Sequence, residues 1–281
     1  MDNNLLNIYN ITLSDKEFLR LSNFIQSNYG IKMPPAKKSI LQGRLHKRLR
    51  KLQIADFKTY VDYVFSEEGK EEIIHMMDVV STNKTDFYRE PVHFETLKET
   101  ILPDIYNENK KNIKVWSAGC SSGEEPYTIA IVLNEFKLKN PGFDYQIIAT
   151  DISTQMLKTG ANAIYPEERI EMIPLDIKKR YFLKSKDRTK PKVRVIKELR
   201  DKIKFQRLNF MDDIYRINES FDIMFCRNAL IYFERENQEI VINKLCNKLN
   251  LGGYFFLGHS ESITNMNVPL KVLQPTIYIK I

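Results

Sequence analysis

Apolar positions between residues 12 and 80 recur at helical spacing, whereas after about residue 113 they recur in short unbroken runs. Ser14 followed by Glu17 makes a capping-box pattern. Phe18, Leu21 and Ile25 then share one face of a helix, and Gly30 is a stop signal. Pro34-Pro35 breaks the chain, and Leu41, Leu45 and Leu49 form the apolar stripe of a second helix. Two more helical segments are predicted around 55–65 and 70–80. With no strand signal among them, residues 1–80 read as an all-α N-terminal domain.

The later runs read as strands: Ile113–Ala118, Tyr145–Thr150, Lys202–Leu208, Phe221–Cys226 and Tyr254–Leu257. Helical stretches separate most of them, so an α/β fold with a mostly parallel, Rossmann-like sheet is predicted over 113–281. The last run, Thr276–Ile281, follows a connection that reads as irregular, which predicts an antiparallel final strand. Within 176–207, Tyr181–Lys184 and Lys192–Ile196 are β-prone pieces joined by the polar Ser185–Pro191, and a small antiparallel β insert is predicted there. Residues 81–112 are left as a connecting segment.

Candidate chemistry sits where these elements end. Val115-Trp-Ser-Ala-Gly119-Cys-Ser-Ser-Gly123-Glu-Glu125 is a strand, a glycine turn and the start of a helix, an arrangement that lets the backbone approach a nucleotide-type ligand at Gly119. Ser121 stands where a dinucleotide fingerprint has its middle glycine, and no Gly-Lys-Ser/Thr follows to make a P-loop. Glu124 and Glu125 would repel a pyrophosphate. They suit a ligand with positive charge, such as the ammonium and sulfonium of S-adenosylmethionine. Asp151, closing the second strand, fits either a ribose-binding acid or an ordinary helix cap, and the preceding glycine turn favours the ribose.

Other polar clusters are open to two readings. Thr82–Glu90 is an interdomain linker or a functional segment, and bulky Phe87 and Tyr88 beside Arg89 are unusual for a solvated linker. Arg227 and Asn228 end a buried strand at the edge where open α/β sheets bind ligands, but Arg227 also fits a structural ion pair and Tyr232 the core. His259 has no second histidine or cysteine at ligand spacing, which argues against a metal centre and favours a supporting role over general-base work.

Composition narrows the setting. The 281 residues, 43% hydrophobic, suit a medium domain with a smaller one attached. No apolar run approaches the roughly 18 residues that span a bilayer, and Met1-Asp-Asn-Asn-Leu lacks the pattern of a signal peptide. The three cysteines are widely spaced, which indicates neither a disulfide framework nor a zinc site and fits a reducing cytoplasm. The net charge of +7 favours an acidic partner. Residues 37–51 concentrate it: Lys37, Lys38, Arg44, Lys47, Arg48, Arg50 and Lys51 stand there without an acid. The run is either a solvated helix face or a partner-binding one, and the missing acids favour the partner.

In this order, Thr82–Glu90 with His93-Phe94, Trp116–Tyr127, Arg227–Phe233 and Gly258–Glu261 resemble the chemoreceptor-glutamate methyltransferase family, the CheR type. The likeness covers nearly the whole chain. It implies a Rossmann-like S-adenosylmethionine-dependent methyltransferase sheet, with the added reversed strand of such sheets, a small β insert and an all-α N-terminal domain. It also implies that Asn83, Thr85 and Arg89 contact S-adenosylmethionine, that Glu125 lies near its amino-acid end and Asp151 on the ribose, and that Asn209-Phe210 border the adenine. Asn228-Ala229 line the same pocket, and S-adenosylhomocysteine is the product. Arg89 and Tyr232 match positions beside the transferring methyl and the incoming carboxylate. The basic helix matches the surface that meets the acidic methylation helices of a methyl-accepting chemoreceptor cytoplasmic domain. The expected protein is a monomeric cytoplasmic enzyme with no metal. Tyr88 stands where the family often has Phe, and the Lys184–Lys192 turn lacks glycines, which leaves open whether the insert grips a receptor C-terminal peptide.

Two alternatives remain on sequence grounds. A nucleic-acid methyltransferase suits the positive charge, but the Asn/Asp-Pro-Pro-Tyr/Phe motif and an RNA-binding motif are both absent, so no nucleic-acid partner is expected. A non-catalytic cofactor-binding adaptor is opposed by the presence of Arg89 and Tyr232.

Overall fold

The structure, a computed structural model, describes residues 11–187 and 189–281. The Met1–Leu5 stretch weighed above as a possible signal peptide lies outside them. The N-terminal domain is built from α1 (Asp15–Tyr29), α2 (Lys38–Leu52), α3 (Phe57–Val64) and α4 (Lys70–Val80). Both halves of the Ser14/Glu17 capping box form, and Gly30 closes α1 in the left-handed conformation at φ 70°. Leu21, Ile25, Leu41, Leu45, Leu49, Tyr60 and Val61 are buried together in one core.

Arg48 corrects the reading of the basic run. It is only 7% exposed. Its Nε donates to Glu72 at 2.7 Å, and the Tyr60 hydroxyl donates to the same carboxylate at 3.0 Å. It therefore ties α2 to α3 and α4 and cannot meet a partner. Lys47 and Lys51 are exposed, while Lys37, Lys38 and Arg50 are half-buried. Lys38 pairs with Asp15 at 2.6 Å.

Within the 81–112 segment, residues 92–107 are helical. They form α5 (Val92–Thr96), a π-helical segment (Leu97–Ile101) and α6 (Leu102–Asn107), whose Phe94, Leu97, Ile101 and Leu102 enter the core of the second domain. There β1 (Asn112–Ala118), α7 (Glu124–Lys139), β2 (Asp144–Asp151) and α8 (Thr154–Asn162) lead to the insert, β3 (Ile164–Pro166), α9 (Leu175–Tyr181), β4 (Phe182–Lys184) and β5 (Lys192–Val195). Then come α10 (Lys197–Arg200), β6 (Ile203–Arg207), β7 (Phe221–Cys226), α11 (Arg235–Cys246), β8 (Leu249–Leu257), β9 (Leu270–Gln274) and β10 (Ile277–Lys280).

The large sheet runs β6-β2-β1-β7-β8-β10-β9. β6, β2, β1, β7 and β8 are parallel, and β10 lies antiparallel to β8, as the sequence predicts. Val115, Ile147, Ile223 and Phe225 face one core, and Trp116, Ile148, Met224 and Cys226 face the other, which is the period-two alternation of a sheet covered on both sides. Two strands escape the sequence reading. β9 occupies the connection read as irregular, and β3 extends the insert upstream of 176, making a three-stranded antiparallel sheet in the order β3-β5-β4. β9 is an edge strand of mostly exposed residues, and β3 holds three residues that end in Pro166, so neither shows a buried apolar run.

Strand order reverses between β1 and β7, which opens a crevice at their carboxyl ends. The N-terminal domain closes one side of it. Ile31 bridges to Phe233, the Lys32 N–H donates to the Tyr232 carbonyl at 2.7 Å, and Asn209 Nδ2 donates to the Asn28 carbonyl at 2.8 Å. Asp78 at the end of α4 accepts the hydroxyls of Ser153 at 2.8 Å and Thr154 at 2.9 Å at the start of α8.

Candidate active site

The crevice floor begins at the glycine turn after β1. The Gly119 and Cys120 N–H groups donate to the Thr150 carbonyl at 2.7 and 2.9 Å, pinning the turn to β2. Gly119 holds φ +84°, and a Cβ there would stand 3.0 Å from the Ala229 methyl and 3.8 Å from the Phe210 ring. Glycine thus keeps open the slot between these residues, and a nucleotide-type ligand fits such a slot.

Asp151 stands beside this slot, 8% exposed. Its carboxylate accepts the Ser121 N–H at 2.8 Å and the Ser153 N–H at 2.9 Å. The cap of α8 is Ser153 and not Asp151, so the helix-cap alternative falls away. Burial raises the Asp151 carboxyl above its usual range, and the backbone N–H groups oppose that rise. Each oxygen keeps a lone pair for a ligand hydroxyl.

Glu124 and Glu125 separate. Glu125 lines the crevice, taking the Ser117 hydroxyl at 2.7 Å and Arg227 Nη1 at 3.4 Å. Burial raises its pKa and the Arg227 charge opposes this. Glu124 lies outside the lining and pairs with Arg169, which also bonds the Thr85 carbonyl. Only one of the two acids is therefore offered to a cationic ligand.

Residues 82–90 form the wall between the domains. Asn83, Thr85 and Arg89 line the crevice, as do Asn209, Phe210, Asn228, Ala229 and Tyr232. The Asn83 carbonyl accepts the Ser121 hydroxyl at 3.0 Å, which joins this wall to the glycine turn. Phe87 is buried edge-on against Tyr165 and Phe182, and the Tyr88 N–H donates to Thr128 at 3.1 Å. The bulky pair anchors the segment, which explains its presence in so polar a stretch. Arg89 Nη1 bonds the Lys84 carbonyl at 3.0 Å.

Sequence reasoning missed the support beneath Arg89. Buried Arg227 donates to the Arg89 carbonyl and to Glu90 Oε2 at 2.9 Å, which realises the ion-pair reading of Arg227. Glu90 also accepts Asn228 Nδ2 at 3.2 Å. Burial would raise the Glu90 pKa, but Arg227 and Asn228 outweigh it and hold the carboxyl below its usual range. Glu261 takes four backbone N–H groups, from Gly258, Asn228, Leu230 and Ile231, at 2.7 to 3.2 Å, and so shapes the turn that carries Asn228 and Tyr232. His93 and His259, far apart in the chain, meet edge-on with ring centroids 5.1 Å apart beside Glu90.

From the N-terminal domain, Lys37 and Arg44 reach the crevice. Lys37 Nζ lies 5.8 Å from the centre of the Tyr232 ring, and burial lowers its pKa, helped by the Arg44 and Lys32 charges. Arg44 bonds the carbonyls of Val80 and Ser81. Lys38, Lys47, Arg48, Arg50 and Lys51 do not line it. The crevice thus has the acids Glu125 and Asp151 on the sheet side, with Arg227 against Glu125, and an excess of cations on the other, where Lys37, Arg44, Lys84 and Arg89 stand with the single acid Asp86. Among the described residues no helix is long and apolar enough to cross a membrane.

Residues 83–279 match the family described as CheR methyltransferase, SAM binding domain, and residues 16–81 match the CheR methyltransferase all-alpha domain. The chain is 37% identical over 276 residues to a protein named chemotaxis protein methyltransferase from Borreliella burgdorferi, covering 96% of each. It is 33% identical to chemotaxis protein methyltransferase 2 of Pseudomonas aeruginosa, covering 89% of this chain and 87% of that one. Against the chemotaxis protein methyltransferase of Escherichia coli the identity is 32%, over 95% of this chain and 92% of that one.

Proposed function

The chain belongs to the CheR methyltransferase family, and we propose that it moves a methyl group from S-adenosylmethionine to glutamate side chains on the cytoplasmic helices of a chemoreceptor. The observation that carries this reading is the polarity of the crevice. Glu125 and Asp151 suit the ammonium and ribose of the cofactor, and the slot kept open by Gly119 suits its adenine, bordered by Phe210 and Ala229. Lys37, Arg44 and Arg89 suit an incoming carboxylate.

S-adenosylmethionine supplies a methyl made electrophilic by its sulfonium. A glutamate of pKa about 4.3 arrives already ionised at neutral pH, so no residue must remove a proton. What the chain contributes is position and exclusion of water. Holding two reactants at attack distance is worth roughly 7–11 kcal/mol. Arg89 orients the carboxylate by a charge-assisted hydrogen bond. Tyr232, fixed through its carbonyl by Lys32 and across its ring by Lys37, places the carboxylate or the cofactor. The ester product is neutral, so its attraction to these cations drops and release is favoured. The exposed Lys47 and Lys51 on α2 extend the positive surface toward an acidic receptor helix.

The deciding experiment is transfer of labelled methyl from S-adenosylmethionine to membranes carrying chemoreceptors, followed by mild alkali. Label that enters the receptor and leaves as methanol is the expected result. Alkali-stable label would mean that the acceptor is not a carboxylate.

A further inference from the structure

We propose that Glu90, His93 and His259 bind a divalent ion of the zinc class, outside the crevice lining and directly behind Arg89. One donor atom from each of the three lies within 4.8 Å of the others. Glu90 Oε2 is 3.6 Å from His93 Nδ1 and 3.9 Å from His259 Nε2. Ligands about 2.1 Å from a tetrahedral zinc stand about 3.4 Å apart, close to both of these distances.

His93 is what points to a ligand. Its side chain is 1% exposed, and its Nδ1 has no hydrogen-bond partner among the described residues. Its other nitrogen, Nε2, lies 2.8 Å from the Thr276 hydroxyl, and that hydroxyl donates to the Pro275 carbonyl at 2.6 Å. Assigning the hydroxyl's one hydrogen to the Pro275 carbonyl puts the imidazole proton on Nε2 and leaves Nδ1 a bare lone pair. The lone pair faces the Glu90 carboxylate, another acceptor. Two acceptors facing each other in the interior repel, whereas a cation between them makes two bonds. The Nε2–H bond to Thr276 is also the outer contact that metal-bound imidazoles commonly make to hold their orientation.

The rest of the surroundings agree. Arg227 donates to the same Oε2, but it stands between two carboxylates, Glu90 and Glu125, so the cluster starts without excess positive charge. The His259 side chain is 54% exposed, which leaves a path from solvent and an open coordination position. Two imidazoles and one carboxylate suit zinc, not magnesium or calcium, which take oxygen shells. A bound ion clasps the turn in which Tyr88 and Glu90 hold the unfavourable φ values of 54° and 57°, the turn on which Arg89 sits. Its role is therefore structural support of a positioning residue.

The test is to strip untagged protein with a chelator and titrate it with zinc chloride by calorimetry, and with cobalt chloride by visible absorption. One ion per chain is expected, with the cobalt bands of a four- or five-coordinate site. His259→Ala removes an exposed side chain without opening the core and is expected to weaken binding by about tenfold or more. His75→Ala, removing the histidine that lies 3.9 Å from Asp78, is the control and leaves binding unchanged. No binding by the parent protein, or binding that His259→Ala leaves untouched, overturns the proposal.

Discussion

The guanidinium of Arg227 donates to the main-chain carbonyl of Arg89, so a buried arginine at the end of β7 holds the backbone of an arginine that lines the crevice. The same guanidinium lies against Glu90 and Glu125. The interdomain wall and the floor thus share one charged support, and damage to it propagates to both.

Replacing Arg227 by Ala leaves two shielded carboxylates without their counter-charge. Removing one partner of a buried pair is expected to cost about 3–5 kcal/mol of stability. Urea unfolding of Arg227→Ala checks this, and a loss no larger than that of a surface arginine would show that water relieves the carboxylates.

Arg89 behaves differently because, among the described residues, its side chain bonds only one carbonyl of its own segment. Arg89→Ala should leave the urea midpoint nearly unchanged. It should lower turnover roughly 10²-fold, the scale seen when a positioning contact is lost, with a much smaller change in cofactor affinity. Near-normal methyl transfer by the variant would remove Arg89 from the chemistry.

Asp151→Ala should weaken S-adenosylmethionine binding by about 1–3 kcal/mol, through loss of a charged acceptor. A pH dependence accompanies it. Burial raises the Asp151 carboxyl, so it takes up a proton at a higher pH than an exposed aspartate. Cofactor affinity should decline as pH falls through that raised value, and Asp151→Ala should lack this component. In the ligand-free protein the sign is opposite. The folded state then binds more protons than the unfolded one, so this group's contribution to stability decreases as pH rises from the unfolded pKa to the folded one. Calorimetric titrations across mildly acid pH would separate the two trends.

The surface of α2 needs a selective test. Charge reversal at Arg48 would unfold the domain by facing Glu72 with a second acid. Lys47→Glu with Lys51→Glu changes only exposed positions. The double variant should keep cofactor affinity and lose receptor methylation, and added salt should slow the parent enzyme toward the variant's rate. Equal receptor methylation by both proteins at physiological salt would leave this face a solvated one.

Much of the site was legible from the chain because its signals are local. A glycine turn between a strand and a helix, and an acid closing the next strand, place Gly119, Glu125 and Asp151 at the same edge of the sheet. Asn83, Thr85, Arg89 and Tyr232 were harder. They reach the crevice from an interdomain segment and a short turn that carry no periodicity, and only the family resemblance picked them out.

Short-range patterns in the chain encode the helices of the first domain, the parallel sheet with its reversed strand, and the edge at which the crevice opens. Capping pairs, apolar stripes and two-residue alternation act over a few neighbouring residues. Packing between distant segments sets which like residues do unlike work. Glu124 turns to Arg169 while Glu125 faces the crevice, and Arg48 turns inward while Lys47 stays in water. It also brought the His259 N–H to within 3.3 Å of Glu90 across 169 residues of chain. Such choices depend on which surface packs against which, and no spacing within one segment encodes the partner that arrives from another.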